Sequence, residues 1–120
     1  VDVPVFDGFR RSRLRNEYIL RQMQSQNRQK KRTQDIAYET AVAEKELAFA
    51  EESLKLAYDQ VRLAQEIYAS DVIRYEQGLL SFADLKVTEY SVREADQQLI
   101  RAQYTLLNAR LSLQKATGAL

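Results

Sequence analysis

The sequence predicts an all-α fold, a long antiparallel coiled-coil helical hairpin with two unequal helices. Three observations carry this. The chain is poor in helix breakers, with three Gly and one Pro in 120 residues. A single glycine, Gly78, separates two long stretches that contain neither Gly nor Pro. Each stretch repeats large and small apolar residues every seven positions, and the two repeats match when the chain is folded at the break. A composition of 45% apolar and 29% charged residues suits one domain of long helices, or a piece of one, rather than a many-stranded fold.

Residues 1–8 read as the end of a strand and a turn. Val1, Val3 and Val5 alternate with Asp2, Pro4 and Phe6, and Pro4 restricts such a strand to an edge or an exit. Asp7-Gly8 is a turn signal. The first helix then covers 9–77 and the hairpin tip 78–81. Ser81 is a credible N-cap for the returning helix, 82–117, and Asp84 stands three residues later in capping-box position, Asp replacing the usual Glu. Gly118 has the character of a C′ residue, which makes 118–120 the C-cap.

The heptads set the pairing. In the first helix the large set is Leu47, Leu54, Val61, Tyr68 and Tyr75, and the small set is Ala43, Ala50, Ala57 and Ala64. In the second the large set is Leu85, Val92, Leu99, Leu106 and Leu113, and the small set is Ala95, Ala102, Ala109 and Ala116. Folding at Leu79-Leu80 brings to equal height residues whose numbers total about 160. Tyr75 then meets Leu85, Tyr68 meets Val92, and so on to Leu47 and Leu113, with alanine opposite alanine between the large layers.

The seam turns polar before residue 43, reading Thr40, Ile36, Thr33, Gln29, Gln26 and Gln22 backwards. Residues 10–42 therefore have no predicted partner within the chain. At 1.5 Å per residue the helices are roughly 100 Å and roughly 53 Å long. Further apolar stripes, Val42, Phe49, Leu56 and Leu63 on one helix and Tyr104, Leu107 and Leu111 on the other, lie off the main seam. They are either the wide face of one bundle or contacts to neighbouring helices, as in a closed ring.

Several function classes are disfavoured. Neither Cys nor His is present, which removes disulfides, thiolate or imidazole metal sites and the commonest general base. No metal or cofactor site and no convergent acid pair can be proposed, so no enzyme is expected. The start is not a signal peptide, and no apolar run approaches the ~18 residues of a membrane span. If the parent protein is exported, the chain is a fragment of it. The net charge of +1 hides an asymmetry: residues 1–32 carry nine Lys/Arg against three Asp/Glu, and 33–120 carry nine against fourteen. A basic segment before heptads is also the layout of a zipper-type DNA-binding protein. The hairpin break at Gly78 argues for self-pairing instead, and no nucleic-acid partner is expected.

Three stretches together resemble the TolC-like outer-membrane efflux protein family. Pro4-Val5-Phe6-Asp7-Gly8-Phe9-Arg10-Arg11 is similar to the family's P-x-F-D-G-G-R-R passage from membrane strand to long helix, with Phe9 for the second Gly. Tyr75-Glu76-Gln77-Gly78-Leu79-Leu80-Ser81-Phe82-Ala83-Asp84-Leu85 resembles the helix-tip pattern Y-x-x-G-x-x-S-x-x-D-L. Ala116-Thr117-Gly118-Ala119-Leu120 resembles the closing A-x-G-x-L. The resemblance implies a fragment of a trimeric channel of the Gram-negative outer membrane, with a β-barrel in the membrane and an α-barrel through the periplasm. It makes residues 1–8 the end of a membrane strand and the rest a periplasmic hairpin, with the second of the family's two repeats favoured by the first motif. It implies tripartite efflux or type I secretion, a homotrimer, a periplasmic adaptor protein and, through the adaptor, an inner-membrane transporter.

The candidate functional residues follow. Gly78 is at least a helix breaker. With Leu79, Leu80, Ser81 and Phe82 it forms the tip, where two adjacent leucines outside both seams are costly unless a partner covers them. The resemblance makes that partner the adaptor. Asp84 is a first-turn carboxylate favourable to the helix N-terminus, and the resemblance puts an acid here at the periplasmic entrance. Tyr75 matches a tyrosine that helps hold the entrance closed. Leu80 stands where some members carry a basic residue, which removes that partner for a salt-bridged closure. Asp71 interrupts the small-residue seam one turn before Tyr75, and either faces the same pore or is a solvated charge near the tip. A cytosolic coiled-coil scaffold or tether is the alternative class; its gene would lack both a signal peptide and a second tip motif.

Overall fold

The computed structural model describes residues 7–119 of the chain, and its elements are two helices, α1 (Asp7–Glu76) and α2 (Phe82–Ala116). The expected strand end at 1–6 and the last residue, Leu120, lie outside the described residues. Asp7 and Gly8, expected as a turn, both belong to α1. Glycine accepts helical backbone angles, and its entropic cost is small beside a run of helix formers this long. The chain divides into two compact units, Val1–Glu39 and Thr40–Leu120.

In the first unit every residue from 8 to 39 is exposed, the apolar Phe9, Leu14, Tyr18, Leu20 and Met23 included. From Gln22 to Thr33 the seam is polar and offers no apolar stripe to bury, and residues 10–42 have no predicted partner within the chain. The exposed ion pair of Arg21 with Glu17 at 2.7 Å adds little. Helical hydrogen bonds without tertiary cover open easily. Amide hydrogen exchange in the monomeric chain should therefore be fast over 8–39 and slow over 47–68. Uniform protection along α1 in a verified monomer would contradict that assignment.

The second unit is the antiparallel hairpin. Ala43, Ala50 and Ala57 of α1 and Ala95, Leu106 and Ala109 of α2 are buried. Leu47, Leu54, Val61, Ala64 and Tyr68, with Leu85, Val92, Leu99, Ala102, Leu113 and Ala116, are half-buried. Both heptad sets thus point inward, as a seven-residue period requires. Ala50, Leu106 and Ala109 form the centre of the core, and Leu47 and Leu54 pack against it. These contacts carry the register expected from the heptads, and a Gln103 Nε2–H donating to the Tyr58 hydroxyl at 3.4 Å links the helices at the same height. Ala50 is only 1% exposed. A methyl side chain buried that fully lets the two backbones approach closely, while the leucine layers supply most of the apolar area.

Two seam expectations need correction. Tyr75, expected as the last large layer, is 41% exposed. α1 ends one residue later, and the Tyr75 ring lies beside Phe82 across the turn. Asp71, expected to face a pore or to be solvated, is the buried charged residue of the hairpin at 8% exposure. It occupies the next small position after Ala64, where the heptad directs any side chain inward. Its carboxylate accepts from Arg74 Nη1–H at 3.3 Å, and no buried side-chain polar atom among the described residues lacks a hydrogen-bond partner.

Candidate docking tip of the hairpin

The tip is set by a helix stop and a helix start placed back to back. α1 ends in a Schellman motif, with Gly78 at φ +75° as its left-handed residue. The Leu79 N–H donates to the Arg74 carbonyl at 2.8 Å and the Gly78 N–H to the Tyr75 carbonyl at 2.9 Å. Glycine takes this backbone conformation without the penalty that a Cβ would bring. α2 closes in the same way, with Gly118 at φ +71°, Ala119 N–H donating to Gln114 at 2.9 Å and Gly118 N–H to Lys115 at 3.2 Å.

Ser81 starts α2 as its N-cap, with extended backbone and its hydroxyl accepting from the Asp84 N–H at 3.2 Å. Asp84 serves the cap differently from the expected box. Its Oδ2 accepts from the Ser81 hydroxyl at 2.6 Å, whereas a full capping box would have the N3 side chain reach the N-cap backbone N–H. Asp is one methylene shorter than the Glu that usually spans that distance. The carboxylate still sits in the first turn of α2, where the helix dipole favours it.

The two leucines are not alike. Leu79 is 67% exposed, as expected. Leu80, expected to stand beside it outside the seams, is half-buried. It precedes the N-cap, and Leu85 is the fourth residue of α2; these are the positions of a hydrophobic staple, and Leu85 is half-buried too. The exposed apolar surface is therefore Leu79 together with Phe82, at 59%, and the partly exposed Tyr75. The rings of Tyr75 and Phe82 lie 6.2 Å apart, inclined at 55°. Asp71 lies apart from this surface, in the seam.

Sequence reasoning missed the residues that flank the tip. The ammonium of Lys86 lies 5.4 Å from the centre of the Phe82 ring. It also donates to Glu89 Oε2 at 2.6 Å, and Arg93 donates to the other oxygen of the same carboxylate. The hydrogen bond from Lys86, followed by that from Arg93, holds the Glu89 carboxyl below its usual range. The signal was available: Phe82, Lys86, Glu89 and Arg93 recur at spacings of four, three and four along one helix face.

This arrangement is a coiled-coil hairpin with a capped, partly apolar tip. Among the described residues no cluster of three or more acidic side chains is placed to hold a metal, and no helix is long and apolar enough to cross a membrane. The family model for outer membrane efflux proteins matches residues 1–119, so the chain belongs to the outer membrane efflux protein family. The comparisons with curated proteins and with solved structures find no match. The family consists of transport channels of the outer membrane rather than enzymes, and the cytosolic tether reading gives way to it.

Proposed function

We propose that this chain is one periplasmic hairpin of a trimeric outer-membrane channel for tripartite efflux or type I secretion, and that its tip docks a periplasmic adaptor that links it to an inner-membrane transporter. The observation that carries the docking reading is the exposure of Leu79 and Phe82 on a turn held by caps on both sides. Apolar side chains left this exposed at a turn bury little area within the hairpin itself. Burying each against a partner is worth roughly 1.5–3 kcal/mol. Such a contact is weak singly and strong when repeated around a ring of tips.

The ring has support of its own. Phe49, Leu56 and Leu63 on α1, and Tyr104, Leu107 and Leu111 on α2, are all exposed in the hairpin. Stripes of that length require neighbours to be stable in water. Tyr75 and Asp84, beside the turn, are the residues of this chain that would line the periplasmic entrance; Asp71, in the seam, would support them from behind.

The test is Leu79→Asp in the full-length channel. Burying an unpaired carboxylate in a docked interface is costly, and an exposed position tolerates the change in the free channel. Cross-linking to the adaptor and export should fall at least tenfold while the amount of outer-membrane trimer is unchanged. Unimpaired recruitment and export would reduce the tip to a mere turn.

A further inference from the structure

We propose that Lys86 is a positioning residue of the tip, whose ammonium, tethered by Glu89, holds the Phe82 ring in the orientation that meets the docking partner. This rests on the docking reading above and adds to it a device on the flank of α2. Phe82 is the first residue of α2 and is largely exposed, so the helix alone leaves its ring free to choose among rotamers. Two contacts bias that choice. The Tyr75 ring stands 6.2 Å away across the turn, and the Lys86 ammonium stands 5.4 Å from the ring centre, one helical turn further on.

A lysine on an exposed helix face is itself mobile, and Lys86 would orient nothing if it were free. Glu89 takes its ammonium at 2.6 Å, and Arg93 holds the opposite oxygen of that carboxylate. The Glu89 side chain is only 26% exposed, so the carboxylate is partly fixed by the helix surface. The contacts form a continuous line from Arg93 through Glu89 and Lys86 to Phe82. An aromatic group already held in its bound orientation loses less freedom on docking than a free one. At an exposed site the cation–ring contact does little for folding. The line of contacts therefore acts on recognition and leaves stability alone.

The experiment uses the full-length channel with a photoreactive residue at Gln77, the purified periplasmic adaptor of the same export system, and the variants Phe82→Ala, Lys86→Gln, Lys86→Arg and Glu89→Gln. Lys86→Gln and Glu89→Gln should lower adaptor cross-linking about threefold, the scale of one exposed cation–ring contact. Lys86→Arg should restore it, because a guanidinium also sits over a ring. Trimer melting should be unchanged in Lys86→Gln and Lys86→Arg. If Phe82→Ala abolishes cross-linking but Lys86→Gln behaves as wild type, the positioning role is overturned and docking stands. Failure of Lys86→Arg to rescue, or a fall in trimer melting with Lys86→Gln, overturns it as well. If Phe82→Ala has no effect, the positioning role falls; if Leu79→Asp has none either, the docking reading itself falls.

Discussion

Leu106→Ala is expected to destabilise the hairpin by about 2–5 kcal/mol, the range for truncating a buried leucine whose surroundings cannot close over the cavity. Leu106 is 9% exposed at the centre of the core, with Leu54 packed against it. Leu54 is half-buried, so Leu54→Ala should fall at the lower end of that range. The two changes empty adjoining space. The second truncation then removes fewer contacts than it would alone, and the double variant should lose less than the sum of the single losses. Denaturant unfolding of the four proteins measures the coupling. Strict additivity, within about 0.3–0.5 kcal/mol, would place Leu54 and Leu106 in different layers and break the register on which the hairpin rests.

The parts of this structure that were legible in the sequence are those governed by period. A seven-residue repeat over five layers on both helices fixes which faces meet. Ala50 opposite Ala109 and Leu54 opposite Leu106 follow from counting back from the break. The break was legible too, because Gly78 and Ser81 are residues with few other uses so close together in a helix-forming chain. The misreadings came where local turn chemistry overrides the repeat. Leu80 was expected to stand exposed beside Leu79, yet it is half-buried at the position before the N-cap, where a hydrophobic staple would place it. Tyr75 was read as a seam residue because it continues the count, yet α1 ends just beyond it. Asp71 shows the opposite error. Its charge prompted a pore or solvent reading, while the repeat alone, followed through, puts it in the seam with Arg74 as partner.

Family membership was legible through the tip and terminal motifs rather than through chemistry. With neither His nor Cys, the chain offered no reactive constellation to interpret. Contacts between side chains four residues apart, such as Lys86 over Phe82, need rotamers that a sequence does not specify.

The same seam yields a second large effect, of opposite sense in volume. Ala50→Leu should destabilise the hairpin by about 1–3 kcal/mol or more. Ala50 is 1% exposed, clustered with Ala109 and Leu106 at the centre of the core. Three added carbons there must either push α2 outward or adopt a strained rotamer. Pushing α2 outward also loosens the adjoining leucine layers, since Leu47 and Leu54 pack against the cluster of Ala50, Leu106 and Ala109. Ala48→Leu is the control. Ala48 lies two residues away on the exposed side of the same helix, and Ala and Leu differ little in helix propensity. Thermal melts should show Ala50→Leu well below wild type and Ala48→Leu close to it. Equal melting of the two variants would mean that position 50 has room to spare, and the close approach of the helices along the alanine layers would have to be abandoned.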